Sequence, residues 1–236
     1  MSELLSVPPP PPPPVTPAKP GFDFVKPFGF VFQDPRWLTK ILIGGLFQLA
    51  AIFIIGIFFV LGYCAQLTRN VIAGLETPLP EWDDLGEFFI EGLKLAVVVL
   101  IYTLPLIIFA AAVFIPAALM SSSSHEILNN LGGGMLACVW CIFFPISLLL
   151  AFYLPGALLF AIVDRDFGAA FHVSRILQFI GDNIGNYVIA FVVYMIARFA
   201  VPFGVILCCI GVVFVGFWAL LVATHAFAQV YRLRSE

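Results

Sequence analysis

The residues that could do chemistry here are ionisable and thiol groups inside or beside long apolar runs. Asp164 and Asp182 invite comparison with a carboxylate pair that shares one proton. Each lies at an expected interface beside Arg165 or Asn183, which suits a boundary residue or a helix cap rather than a catalytic pair. Cys138-x-x-Cys141 places two thiols on one helical face, but no second pair follows at zinc-ligand spacing. Cys208-Cys209 reads as apolar filling. His225, beside Thr224, and Arg198 are candidate intramembrane polar residues. Arg198 either snorkels at the end of its span or, if its helix runs on to Cys208, is buried and needs a partner. No H-E-x-x-H, G-x-S-x-G or P-loop pattern occurs. The expectation is therefore no catalytic residue, no cofactor, no metal and no enzymatic activity.

A more specific group is Pro80, Glu81, Trp82, Asp83 and Asp84, within the polar stretch Gln66–Lys94. As structure, these residues supply a turn, an interfacial tryptophan and a helix N-cap, with Glu87 three residues after Asp84 as a capping-box partner. As function, they form an acidic docking surface for a protein partner. This stretch carries Glu76, Glu81, Asp83, Asp84, Glu87 and Glu91, most of the acidic residues that lie between the apolar runs.

The elements that must position these groups follow from composition. The chain is 62% hydrophobic and 11% charged, with a net charge of −3 and a mean hydropathy of +1.08. Soluble domains run near 45–50% apolar and about 25% charged, so lipid is the expected solvent. The apolar runs are continuous rather than alternating, which selects helices over a β-barrel. No basic patch interleaved with aromatics is present, so nucleic acid is not an expected partner.

The sequence predicts a disordered proline-rich tail over 1–21, with Pro8–Pro14 unbroken and extended as polyproline II. A membrane domain over 22–232 follows, then a short cytoplasmic tail over 233–236. Its spans are expected at about 37–64, 95–120, 135–163, 184–200 and 205–230. Amphipathic interfacial helices are expected over 22–33, from Asp84 to Lys94, and over 167–180. A hairpin is expected at Pro202-Phe203-Gly204. Pro105, Pro116, Pro145 and Pro155 predict kinks.

The two ends of the domain echo each other. Asp23–Leu42 is similar in pattern to Asp166–Ala190, and Ala65-Gln66-Leu67-Thr68-Arg69 to Ala228-Gln229-Val230-Tyr231-Arg232, which suggests a duplication around a central hairpin. This sharpens a topological conflict. By length, the first run crosses once. By charge, it re-enters, because only then do Lys19, Lys26, Arg36 and Lys40 join the other basic residues on the cytoplasmic side.

Three blocks carry a family resemblance. The first comprises Gly62-Tyr63, Arg69, Gly74, Leu79–Asp84, Phe88, Gly92 and Lys94. The second comprises Ala170-Phe171, Arg175, Phe179, Asn183 and Tyr187, and the third Gln229, Tyr231 and Arg232. Together they resemble an uncharacterised prokaryotic family of polytopic membrane proteins, number four thousand and thirteen in the domain-of-unknown-function series. The resemblance implies a helical membrane domain and no assigned activity.

The expected protein is thus an all-α, polytopic integral membrane helical bundle in the cell membrane. Its expected partners are the lipid bilayer and a protein at the cytoplasmic 66–94 segment. The expected role is a non-enzymatic scaffold or partner-binding component; a transporter or channel subunit is the second reading and an intramembrane enzyme the third.

Overall fold

The computed structural model describes residues 21–206 and 211–235. Most of the proline tail, and Cys208 and Cys209, lie outside them. The chain runs α1 (Lys26–Gly29), a 3-10 turn (Phe30–Gln33), α2 (Trp37–Ala50), a 3-10 turn (Ala51–Phe53), α3 (Ile55–Ile72), α4 (Leu85–Ser121) and α5 (Glu126–Val163). A 3-10 helix (Phe167–Phe171), α6 (Val173–Asp182) and α7 (Ile184–Ala200) follow. The chain continues as 3-10 helix through Val201–Ile206, and α8 (Gly211–Ser235) closes it. No strand occurs among the described residues. Five helices are long and apolar enough to cross a membrane: Ile55–Ile72, Leu85–Ser121, Glu126–Val163, Ile184–Ile206 and Gly211–Arg234. The protein is an all-α polytopic bundle.

The apolar run at 37–64 is not one helix. It breaks at Ile54, whose φ of 69° is a conformation that a β-branched residue rarely adopts. The chain reverses there. Phe47 of α2 stacks on Phe59 of α3 with centroids 4.6 Å apart, and a side chain at Gly56 would strike the backbone of Phe47 and Ala51. α2 and α3 are therefore an antiparallel hairpin, with Ile52, Phe53, Ile54 and Ile55 exposed at its tip.

Other boundaries differ from expectation for identifiable reasons. The interfacial helix from Asp84 and the span at 95–120 are one helix of 37 residues, since nothing between Lys94 and Leu95 breaks the backbone. The stretch 121–134, left between two expected spans, is helical from Glu126, where α5 begins. There Gly132 lies against Ala117 and Ser121 of α4, and Asn129 donates to the Ser121 carbonyl at 2.6 Å. Pro202-Phe203-Gly204 is not a hairpin. It lies within the 3-10 continuation of α7, where proline's fixed φ is tolerated at the start of a helical turn.

The bundle is built around α8. Phe217, Leu221, Val222, Ala226, Ala228 and Val230 are buried. The rings of Phe217 and Phe214 occupy the space a side chain would need at Gly44 and Gly45 of α2. From the other flank α7 presents Ala190, Val193 and Ala197, all fully buried. Small residues at that spacing let membrane helices approach closely. α3 and α4 meet through Gly62 and Gly92, where any Cβ would collide with the backbone of Phe88 and of Phe58 respectively.

α5 is interrupted in a way the sequence only half shows. Pro155 lies inside it and cannot donate to Ala151. One residue on, Gly156 N–H donates to the Tyr187 hydroxyl at 3.0 Å. That hydroxyl in turn donates to the Phe152 carbonyl at 2.8 Å. Tyr187 of α7 has thus inserted into the α5 ladder and satisfied both groups that it separates.

The two halves repeat an order of elements. Short helical pieces at 26–33 precede the α2–α3 hairpin; the 3-10 helix at 167–171 and α6 precede α7 and α8; the α4–α5 hairpin stands between. Charge gathers at one end of the molecule. Of the described acidic and basic residues, only Glu126, at the α4–α5 turn, and Arg198, in the second half of α7, lie away from it.

Because Ile54 holds a left-handed backbone without being glycine, Ile54→Gly is expected to stabilise the protein by about 1 kcal/mol. Thermal unfolding in detergent would register this as a rise in Tm of a few degrees; a fall would show that the Ile54 side chain contributes more at the hairpin tip than its backbone costs.

Candidate functional site

The chain between α3 and α4 is organised by a buried cation. Lys40 lies one helical turn before Gly44, on the face of α2 that packs inward, and is 3% exposed. Its ammonium has three donors and three oxygen partners: Asp34 Oδ2 at 2.6 Å and the Leu79 carbonyl at 3.0 Å, and Glu81 Oε1 at 2.6 Å. Arg36 pairs with the same Glu81 oxygen at 2.8 Å. Asp34 is also buried and accepts the Arg36 backbone N–H at 2.7 Å. Burial alone would raise the Asp34 carboxyl. The Lys40 hydrogen bond, the Arg36 amide and both positive charges outweigh it and hold the group below its ordinary value of 3.8.

The segment Leu79–Asp84 closes over this cation residue by residue. The Leu79 carbonyl accepts from Lys40, and the Pro80 carbonyl accepts from the buried Tyr63 hydroxyl at 3.0 Å. Trp82 turns inward. Its ring stacks on Tyr63 at 4.2 Å and on Phe47 at 5.0 Å, and its indole N–H donates to the Lys40 carbonyl at 3.2 Å. Asp84 caps α4 by accepting Glu87 N–H at 2.9 Å. Asp83 is exposed and makes no hydrogen bond or ion pair among the described residues.

An acidic depression of about 340 Å³ lies on the outer side of this segment, bordered by Pro80, Glu81, Asp83, Asp84 and Glu87. Four of the five residues singled out from the sequence therefore share one surface, and Trp82 anchors it from behind. Further along, Glu91 engages the Arg69 guanidinium bidentately, and Glu87 lies 3.9 Å from it. This ties α3 to the first turns of α4.

The other sequence candidates are dispersed. Asp164 pairs with Arg175, whose guanidinium also lies 4.5 Å above the Phe160 ring. Asp182 ends α6 and is exposed. Cys138 and Cys141 are exposed, and Cys64 is buried. No cluster of His, Cys, Asp and Glu able to hold a metal occurs among the described residues. Arg198 is exposed. Its helix does run on to Ile206, but the side chain faces outward instead of needing an internal partner. His225 is buried, stacks on Phe30 at 4.4 Å, and its Nδ1 has no hydrogen-bond partner among the described residues. Lys40 and Asp34 are not among the site candidates that the sequence singles out. The available signal was the spacing of Lys40 with Gly44, four residues on along the packing face.

The fold and this arrangement define a multi-pass helical membrane protein whose principal polar cluster serves to join helices. The chain belongs to the DUF4013 family, proteins of unknown function, whose model matches residues 45–210. Asp34, Lys40 and α8 lie outside the matched range, as do Gln229, Tyr231 and Arg232. No curated protein and no solved structure matches the chain.

Truncating Lys40 would strand Asp34 beside Leu79. Lys40→Met is expected to destabilise by about 3–5 kcal/mol, and Lys40→Met with Asp34→Leu to recover much of that loss. Equal Tm values for the single and double variants would contradict the coupling. The depressed Asp34 carboxyl contributes stability above its unfolded value of about 3.9, lost as pH falls through the lower folded value. Wild-type Tm should therefore fall more steeply below about pH 4 than that of Asp34→Asn; parallel acid limbs would refute this.

Proposed function

We propose that the protein is a non-enzymatic component of the cell membrane that binds a protein partner at the 66–94 segment, with its charge-rich end in the cytoplasm. The observation that carries this reading is the acidic depression beside Asp83. The polar groups of Leu79–Asp84 are largely consumed in holding helices together, yet Asp83 stands exposed on the rim of a depression that Glu81, Asp84 and Glu87 also line. Such a rim suits a basic segment of a partner.

The orientation rests on the gathering of Lys26, Arg36, Lys40, Arg69, Lys94, Arg165, Arg175, Arg232 and Arg234 at one end, since basic residues favour the cytoplasmic face. The α2–α3 hairpin then dips into the bilayer and returns. The 14 residues of α2 span about 21 Å at 1.5 Å per residue, short of a hydrocarbon core of about 30 Å. The hairpin tip, Ala50–Gly56, carries no polar side chain.

A transporter or channel subunit is the second reading. It is favoured by the four prolines inside α4 and α5 and by an apolar cavity between α3, α5 and α8. Gln48, Thr103 and Arg198, the polar side chains expected along a path, do not line that cavity.

Two measurements test the proposal. In a cysteine-free background, single cysteines at Gln33 and Ser235 should label from the same side and one at Ser122 from the other. Opposite labelling of Gln33 and Ser235 would overturn the re-entrant hairpin. Asp83→Lys should abolish recovery of a partner that wild type pulls down from membranes, with Tm within about 1 °C of wild type because exposed sites change stability little. Trp82→Ala should lose both partner and stability. Unchanged partners in Asp83→Lys would refute the docking reading.

A further inference from the structure

A second polar site sits at the charged end, between α3, α4 and α5. A cavity of about 290 Å³ there is walled by Arg69, Glu91, Lys94 and Arg165, with Leu95 and Ile162 also in its lining. Its charges do not balance. Arg69 is already engaged by Glu91 and lies near Glu87. Lys94 and Arg165 make no ion pair or hydrogen bond among the described residues. The acids that flank Arg165 do not pair with it: Asp164 holds Arg175, and Asp166 accepts Gly168 N–H at 3.1 Å. Arg165 has a φ of 51°, an unfavourable backbone for a side chain other than glycine, at the point where the chain leaves α5 beside the cavity.

Leu95 and Ile162 also line a second cavity of about 290 Å³, so the two spaces adjoin across these residues. The second is almost wholly apolar, with Leu61, Leu154, Leu158, Leu220 and Phe227 in its walls. It lies between α3, α5 and α8, beside Pro155. Ala151, whose carbonyl Pro155 leaves without a helical donor, is on the same wall. A site with two uncompensated cations above an apolar chamber, at the level where α4 turns from charged to apolar sequence, is complementary to an anionic amphiphile.

We propose that the protein binds an anionic glycerophospholipid here, with its phosphate between Lys94 and Arg165 and an acyl chain in the apolar cavity. Arginine and lysine in the lining of one cavity offer a planar fork and a point charge to the phosphate oxygens. Basic pockets between membrane helices on the cytoplasmic side select anionic headgroups. A zwitterionic headgroup would bring a further cation close to Lys94, Arg165 and Arg69, where the one wall carboxylate is already committed to Arg69. The site is separate from the acidic rim at Asp83 and stands or falls independently of the partner proposed there.

The test uses the full chain in neutral detergent, with thermal unfolding and native mass spectrometry as readouts. Dioleoyl phosphatidylglycerol should raise Tm by several degrees and remain bound in the mass spectrum. Dioleoyl phosphatidylcholine and inorganic phosphate should do neither. Lys94→Gln with Arg165→Gln should keep the lipid-free Tm, because both side chains are exposed, and lose the phosphatidylglycerol shift. Ala151→Trp, which fills the apolar cavity, should weaken dioleoyl lipid at least tenfold and leave dihexanoyl phosphatidylglycerol unaffected. The proposal is overturned if both dioleoyl lipids raise Tm equally, if phosphate alone reproduces the shift, or if the double glutamine variant still responds. Equal weakening of long and short chains by Ala151→Trp would overturn the acyl assignment.

Discussion

A cation removed from water must find oxygen, and the Lys40 ammonium finds it on two separate pieces of chain. Asp34 comes from the corner before α2, and the Leu79 carbonyl and Glu81 from the segment that enters α4. An unpaired charge at this depth would cost several kcal/mol, so these two pieces and α2 are held in one arrangement. The consequences spread outward. With Leu79 and Glu81 fixed, Trp82 can lie only between Phe47 and Tyr63, which holds α2 against α3. With Trp82 placed, Asp84 begins α4 at a defined point, and Phe88 reaches the α3 surface opened by Gly62. The hairpin geometry of the first apolar run thus depends on one side chain at its charged end.

A second constraint acts in the apolar part of the bundle. In hydrocarbon no water stands in for a missing backbone partner, so each break in a helix must be repaired by the protein itself. At the α2–α3 tip the repair is local: Ile54 N–H reaches the Ala51 carbonyl at 2.9 Å, and Ile57 N–H the Ile54 carbonyl at 3.1 Å. In α5 it is tertiary, through the Tyr187 hydroxyl. The two solutions have different effects. The local one lets a short hairpin turn on itself with apolar side chains outward. The tertiary one fastens α7 to α5 beside the proline.

The sequence made the class and the approximate helix positions legible, because continuous apolar runs and proline or Asp-Asn boundaries are local signals. The helix-starting role of Asp84 was legible for the same reason. Reversal at Ile54 was not, because Ala-Ala-Ile-Phe-Ile-Ile-Gly contains no polar or proline punctuation; charge distribution alone hinted at it. The inward turn of Trp82 was also hidden. Its partners, Phe47, Tyr63 and the Lys40 carbonyl, are 19 to 42 residues away, and an interfacial tryptophan reads the same in sequence whether it faces lipid or helix. The continuity of α4 through Lys94 is hidden because the sequence there changes from charged to apolar while the backbone stays helical.

The blocks that carry the family resemblance divide by what their residues touch. Gly62, Tyr63, Arg69, Phe88, Gly92, Arg175, Asn183 and Tyr187 are each engaged in a helix contact or an internal bond. Glu81, Trp82 and Asp84 are engaged as well. Those residues would be needed by any protein of this fold, so they say nothing of what it does. Asp83 and Lys94 are different. Both are charged, exposed and without an internal bond among the described residues. They stand on one connected stretch, opposite in sign, beside two different cavities. A fold that satisfies a buried lysine with three oxygens has the means to pair these two groups internally and leaves them free, so the search for a binding function narrows to the surfaces they mark.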